Sequence, residues 1–547
     1  MRAETPVLVV GAGPVGLTLA IDLAVRGQRC IVLEQREQTT AHPKATLLGA
    51  RSMEYFRRWG LEDQIYAATI NTEDPYYIIF STRLAANELL RFRSPSIREI
   101  RSRDPEALAR FRELAWSPYG KTQIGQQALE PILVEHARSL ENIDLRHGWR
   151  FDGFVQDNAG VTAEITHISS GRRETVRAQY LAACDGGTST IRRSLGVRYN
   201  GRGKMRANVS LLFRSTEFLK AHGRGIANLY FTFSPDCFGV FTAIDGAELW
   251  NYQYYFIDPA KAEAPLDVAD VLHRAVGKPF AFELLQTTHW NHHQSVARKW
   301  RDGRVFLLGD AAHLFVPTGG VGMNTGIGDA CDLGWKLDAV LSGWGGEGLL
   351  DSYEIERKPV AVRNSIASAS NSDRIDMVMD ETEDDIDRDD ALGETKRAAL
   401  TRKLRILSRQ FNSAGVHLGY RYVDSSINVA DGAPEPPDDP SQVSPSTWPG
   451  SRAPHAWLED GRSILDLFGD GFVLLRFNEA QQGDEAIVDA AHAAHVPLRL
   501  LDLHDGAVAR LYERRLVLVR PDGHVAWRGA SAPDDCAALI AKIAGRA

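Results

Sequence analysis

The amino-acid sequence predicts an α/β protein: a nucleotide-binding parallel sheet, an inserted and mostly antiparallel sheet, and a small α/β tail. Three observations carry this prediction. An apolar strand, Pro6 to Val10, runs straight into Gly11-Ala-Gly13-Pro-Val-Gly16. An aromatic-rich region between residues 208 and 289 reads as consecutive strands, and a proline-rich break over 431–453 precedes several short apolar strands.

The chain has 547 residues, 44% hydrophobic and 24% charged, which suffices for two or three domains with full cores. Its formal charge of -8 argues against a nucleic-acid partner, because such proteins carry a basic footprint. The five cysteines contain no Cys-x-x-Cys pair, so neither a metal centre nor a redox dithiol is expected. A sparse, odd set fits a reduced compartment. The sequence does not open on a signal-like segment, and no apolar run reaches the ~18 residues needed to cross a bilayer. The expectation is a cytoplasmic protein with no membrane partner; the linker and tail together point to a homodimer.

After the first strand and its glycine turn comes a helix to about Arg26, then a second strand, Cys30 to Leu33, ending in Glu34. This is the Rossmann-type fingerprint: Gly11 for the tight turn, Gly13 for close approach of a pyrophosphate, Gly16 for helix packing, and an acid for a ribose hydroxyl. Lys44 lies in the loop before a basic helix, and Gln126 starts the helix that runs to Ala137. A second glycine corner, Asp185-Gly186-Gly187, ends a strand, and Arg192 lies in the helix after it. The run from Arg304 to Leu337 holds a strand, the break Gly309-Asp310, and a loop with Pro317, Gly319, Gly320 and Gly322 that leads into a helix. Side-chain-free turns beside a helix start make an anion cradle. Tyr230, Phe241, Trp250 and Tyr252 belong to the aromatic strands and are the expected wall for a flat apolar ligand. The tail strands alternate with helices in a thioredoxin-like outline without a dithiol.

The three turns GAGPVG, CDGGTSTIRRSLG and GDAAHLFVPTGGVGMNTGIGDACDLGWKL, in this order, resemble those of the FAD-dependent aromatic hydroxylases of the para-hydroxybenzoate hydroxylase type. GVHLGYRYVDSS and the tail after Arg452 resemble the phenol and polyketide hydroxylase branch, whose C-terminal thioredoxin-like domain lacks the active dithiol. The resemblance implies a Rossmann-type FAD-binding domain (1–75, 110–200, 295–360) with an inserted substrate-binding sheet (76–109, 201–294). A helical region (361–430), the linker (431–453) and the thioredoxin-like domain (454–547) follow.

Carried onto this sequence, the resemblance places FAD on Gly11, Gly13, Gly16, Glu34 and Arg36, with Gln126 and Asp310 on its ribityl and phosphate region. Asp185 and Arg192 support FAD and the passing nicotinamide cofactor, and Pro317, Gly320, Gly322, Met323 and Asn324 line the isoalloxazine. Lys44 stands where the family usually has arginine, keeping the charge and losing the bidentate fork. The implied reaction uses NADH or NADPH and O2, and hydroxylates a phenolic or polyketide-like aromatic through a flavin C4a-hydroperoxide. By residue type, His292, His293 and Tyr254 are the candidate catalytic groups that favour the phenolate. The alternatives are a Baeyer–Villiger or epoxidising monooxygenase on the same scaffold and, from another class, a non-catalytic flavin-binding interaction protein.

Overall fold

The computed structural model describes residues 2–40, 42–256, 265–478 and 481–547. Its first sheet has the parallel order Val305–Leu307, Arg173–Ala183, Arg2–Val10, Cys30–Glu34, Ile143–His147, with Arg301–Asp302 antiparallel at one edge. Strands Gly160–His167 and Trp149–Asp157 extend it as an antiparallel flap on Arg173–Ala183. Cys30–Glu34 is buried at every position, as a strand covered on both faces must be.

Two helices cross on this sheet because glycine lets them. A Cβ on Gly326 would stand 2.6 Å from Val15 Cγ2, and one on Gly334 would stand 2.2 Å from Asp22 Oδ2. The helix Pro14–Val25 therefore lies directly on the helix Gly322–Leu341, and the carboxyl ends of the central strands meet the start of both. In an open α/β sheet that is where ligands bind.

The second sheet has eight strands, in the order His313–Leu314, Glu283–Ala297, Tyr199–Arg214, Leu249–Tyr255, Gly239–Ala243, Leu229–Thr232, Tyr76–Ser81, Glu88–Ser94. All pairings are antiparallel except Leu229–Thr232 with Tyr76–Ser81. His313 and Leu314 pair with Val296 and Ser295, so the flavin-motif loop is stitched into the edge of this sheet.

The C-terminal domain is a four-stranded sheet, Leu498–Leu503, Phe472–Phe477, Leu516–Val519, Val525–Gly529, parallel in its first pair and antiparallel in the rest. Cys536 is its one cysteine, which leaves no dithiol. Its hairpin turn after Val519 plugs into the first domain. Arg520, wholly buried, donates to Glu356 Oε1 at 2.6 Å and to Asp522 Oδ2 at 2.8 Å, and Lys336 Nζ closes the cluster on Asp332 and Glu356. The guanidinium of Arg520 also lies 4.9 Å from the ring centroid of Tyr422, and Arg357 lies 5.2 Å from that of Tyr420. The GYRY stretch thus supplies faces for two buried cations, a favourable setting for desolvated charge. Among the described residues, no helix is long and apolar enough to cross a membrane.

Candidate flavin site

The first glycine corner distinguishes its three glycines by what surrounds them. Gly11 has φ +106°, and a Cβ there would meet Cys184 O at 2.3 Å; at Gly16 it would meet Gly11 O at 1.9 Å. At Gly13 a Cβ would meet no heavy atom within 4 Å. Gly11 and Gly16 are held by protein, whereas Gly13 opens onto free space at the start of the helix Pro14–Val25. A pyrophosphate fits that combination of bare backbone and positive helix end.

Glu34, at the end of its strand, is buried and accepts from the Ala12 amide at 3.1 Å and from the Arg36 amide at 2.9 Å. Arg36 Nε adds a bond of 3.1 Å, which holds the carboxylate beside the turn and leaves the guanidinium half-exposed. The second corner behaves likewise. Asp185 Oδ2 accepts from the Thr190 and Ile191 amides at 2.8 and 3.2 Å, while its Oδ1 is buried without a partner. A buried orphan acceptor costs free energy unless a ligand or water fills it, so it marks a place for a donor. Arg192 spans to Val197 O at 2.7 Å and lies 4.0 Å from the centroid of Tyr199, whose hydroxyl donates to Asp310 O at 3.1 Å.

Asp310 is open to the cleft, yet the fold around it is deep enough that desolvation pushes its carboxyl pKa up, with His313 and Lys44 pulling it down. Lys44 therefore stands within electrostatic reach of Asp310, on the same cleft as the Gly309 turn. Gln126 lies at the start of its helix; its side chain donates to Glu130 at 2.6 Å and its amide to Ala45 O at 2.7 Å, fixing the Lys44 loop.

The loop Pro317 to Asn324 is bolted down by the side chain of Asn324. Its Oδ1 accepts from the Gly49 amide at 2.8 Å and Ser52 Oγ at 2.7 Å, and its Nδ2 donates to Leu47 O at 3.0 Å and Gly320 O at 2.7 Å. Gly320 takes φ +66° with Leu47 against it, and a Cβ on Gly322 would touch only Phe315, at 4.0 Å. Met323 packs partly buried against the main core. The amides that open the helix Gly322–Leu341 thus face a cleft, on a loop whose shape Asn324 sets.

Sequence reading missed what lies beneath this loop. His313 Nε2 sits 2.8 Å from Asp329 Oδ2, and Asp329 Oδ1 accepts from Arg357 Nε at 2.9 Å. All three side chains are buried, and burial alone would raise the Asp329 carboxyl; Arg357 and His313 outweigh it and hold the pKa below its usual value. The signal was present: Asp329, Asp332 and Lys336 are charges inside a helix whose other buried residues are Thr325, glycines and apolar side chains. Such residues are almost never buried unless paired.

The aromatic wall is a correction. Tyr230, Phe241, Trp250 and Tyr252 are all wholly buried, on the sheet face that packs under the helices Phe218–His222 and Val268–Val276. Phe241 and Tyr252 stack at 4.1 Å, and Phe218 meets Trp250 at 4.6 Å. They are core, because strand alternation sends residues of this parity away from the first domain. Tyr254 shares that face, and His293 points the same way, so neither can serve as the base on the flavin side. His292 alone of the three candidates lies on the face toward the first domain. It is bonded to Asn208 and packed against Trp290, at 4.8 Å between ring centroids. Burial, with Arg206 and His293 adding to it, lowers its pKa to about 3, so it is a neutral group.

That opposite face carries Ser210, bonded to Asn251 at 2.6 Å, with Gln253 and Thr288 beside them. Toward its other edge it turns apolar at Val240, Leu229 and Ile78. It looks at the first domain and the helix after it: Gln286 lies close enough to His42, two residues before Lys44, to influence its charge, and Leu47, Ile375 and Val378 pack on the cluster that holds Ile78 and Phe231.

A turn that fits a pyrophosphate, an acid for ribose and a bolted loop for a ring define a flavin-binding protein. Comparison with known proteins agrees. Residues 4–367 match the FAD binding domain family and residues 446–547 the aromatic-ring hydroxylase C-terminal family. A putative polyketide hydroxylase of Streptomyces halstedii is 35% identical, over 96% of this chain and 93% of its own. A FAD-dependent monooxygenase, apdD, of Emericella nidulans is 33% identical, over 98% of this chain and 90% of its own. Among solved structures, the rebeccamycin biosynthetic enzyme RebC with reduced flavin superposes with a TM-score of 0.90 at 38% identity, covering 100% of both chains. Aklavinone-11 hydroxylase with FAD and aklavinone gives 0.80 at 30%, covering 99% of both. The chain belongs to the FAD-dependent aromatic-ring hydroxylases. It is a flavin-dependent monooxygenase, with the Rossmann-type FAD domain, inserted sheet and C-terminal domain of that family.

Proposed function

We propose that the protein uses NADH or NADPH and O2 to hydroxylate a phenolic, polyketide-like aromatic, bound between the flavin loop and the amide-bearing face of the inserted sheet. The observation that carries this is the chemistry of that face. Ser210, Asn251, Gln253 and Thr288 are neutral donors and acceptors side by side on three adjacent strands, and Thr288 Oγ1 is buried without a partner, which suits a ring system edged with hydroxyls and carbonyls. The relatives' names support the class of substrate.

FAD, when bound, supplies the two-electron chemistry and the activation of O2. The chain supplies the rest. Gly13 and the helix start behind it receive the pyrophosphate, with Glu34 for the ribose and Asp310 and Lys44 at the middle of the cofactor. The free amides at Gly322 to Asn324 favour negative charge on the reduced ring, as oxyanion-hole donors do. His292, held neutral, keeps Asn208 in place. The closely packed sheet shields the reacting ring from water.

The test is direct. Purified protein should carry FAD, and a neutral hydroxyanthraquinone should accelerate NAD(P)H oxidation with one atom of labelled oxygen from O2 entering the product. Oxygen inserted into a ring instead of a new hydroxyl would favour the Baeyer–Villiger alternative, and protein that binds no flavin would end the reading.

A further inference from the structure

A groove of about 1520 Å³ runs along the outer side of the long helix Glu347–Asp380. Its floor is apolar and open: Ile355, Val362 and Ile366 are 39%, 40% and 57% exposed. Exposed aliphatic side chains in a row on one helix mark a binding surface more often than isolated ones do.

Most charges on its walls are spent. Arg301 pairs with Asp351 at 2.6 Å, Lys358 with Glu354 at 2.8 Å, Arg363 with Asp438 at 2.6 Å, and Lys299 with Asp302 at 3.1 Å. Two cations remain. Arg374 has only the amide oxygen of Asn371, at 3.0 Å, and Arg409 has no ion pair among the described residues. The acid nearest Arg374, Asp373, is engaged by Arg202 at 2.8 Å. Burial and then the proximity of Arg409 lower the pKa of Arg374, which places the two guanidinium groups within repulsion of each other. In a chain of net charge -8, an uncompensated arginine pair beside an apolar floor is an electrostatic vacancy for an anion.

The arginine end of the groove abuts the flavin loop. Thr318 Oγ1 donates to Ser368 O at 2.6 Å, and a Cβ on Gly319 would stand 3.3 Å from Asn371 Nδ2. Gln410, next to Arg409, approaches the same point with its carbonyl at 3.9 Å.

We propose that this groove binds the aromatic substrate on its way to the flavin loop, with Arg374 and Arg409 holding an anionic oxygen of the substrate, a carboxylate or an ionised enol. This rests on the hydroxylase reading above and adds the charge that the substrate carries. It also assigns the two arginines a specificity role outside the ring-binding cleft.

The FAD-loaded protein is titrated at low salt with anthraquinone-2-carboxylate and with its methyl ester, followed by flavin absorbance and by tryptophan fluorescence. The acid should bind at least tenfold more tightly than the ester. In the double variant Arg374→Gln/Arg409→Gln that preference should shrink to within twofold, with FAD content unchanged, and the double Arg→Lys variant should keep most of it. Equal binding of acid and ester to the wild type, or a preference that survives the double Gln variant, overturns the proposal. A rise in KM for NADH or NADPH in the Gln variant with the acid preference intact also overturns it, because the pair would then serve the dinucleotide. Protein without FAD would defeat the hydroxylase reading alone, since fluorescence still reports the groove.

Discussion

The inserted sheet buries two faces that differ on the strands Tyr199–Arg214 and Leu249–Tyr255, although the second also carries rings, Phe80, Phe231 and Tyr255, where the helices Glu347–Asp380 and Ala391–Leu404 cover it. Toward the helices Phe218–His222 and Val268–Val276 it presents Tyr230, Phe241, Trp250 and Tyr252 in a closed aromatic stack; toward the FAD domain it presents Ser210, Asn251, Gln253 and His292. The richest cluster of rings is the least available to a ligand. Aromatic side chains bury the most apolar area and so go first to the core, whereas amides are placed under a domain interface at a desolvation cost that function must justify.

The contrast can be broken by substitution. Trp250→Ala empties the helix-covered face and should cost about 3–5 kcal/mol, read as a fall in urea midpoint, with the affinity of the folded fraction for aromatic ligands unchanged. A large change in ligand affinity there would mean that the faces have been exchanged.

Next in size is the response to acid. His292 on the amide face and His222 on the helix face are buried and neutral, with pKa values lowered to about 3 and about 4 from 6.5, in each case chiefly by burial. Below pH 6.5 the unfolded chain takes up these protons first. Stability therefore falls as pH drops from 6.5 toward 4 and 3, by up to about 1.4 kcal/mol per pH unit for each histidine. Glu54 and Glu356 have pKa values of about 2. Burial opposes ionisation in both; Arg452 and Arg51 overcome it at Glu54, and Arg520 and Lys336 overcome it at Glu356. Their stabilising contribution is present above about pH 4.5 and is lost between there and pH 2. Chemical denaturation at pH 7, 5.5 and 4.5 should show a steady loss, and His292→Asn should flatten part of it. No change in the slope would contradict a buried neutral imidazole.

Smaller still, Asn251→Leu should weaken binding of a neutral hydroxyanthraquinone about tenfold, or 1.4 kcal/mol. Tyr254→Phe should leave kcat and KM within experimental error, since its ring lies on the far side of the sheet. Steady-state kinetics on the two variants check both.

The parts legible in the sequence were those fixed by local backbone constraint. Gly11, Gly13 and Gly16 announce their roles by their spacing between a strand and a helix, although the atom that crowds Gly11, Cys184 O, lies far along the chain, and Glu34 follows at the end of the next strand. The tail's strands were equally readable from apolar runs between turns. The direction in which the aromatic strands face was not: alternation assigns Trp250, Tyr252 and Tyr254 to one side together, but only the packing of the helices Phe218–His222 and Val268–Val276 says which side is covered. The pairing of Asp329 with His313 and Arg357 joins residues up to 28 positions apart, and that of Arg520 with Glu356 spans 164. Such partners are visible in sequence only as charges in apolar helices, without an address. The acidic stretch 380–390 reads as solvent-facing, yet Asp387 turns inward to accept from Arg83 at 2.9 Å and Ser234 at 2.8 Å.

The most direct measurement is a titration of the FAD-loaded protein with 1-hydroxyanthraquinone, followed by flavin absorbance, in the wild type, Asn251→Leu and Tyr252→Phe. Substrate binding on the amide face predicts a dissociation constant about tenfold higher for Asn251→Leu and unchanged within twofold for Tyr252→Phe. Weakened binding in Tyr252→Phe alone, with Asn251→Leu unaffected, would contradict it.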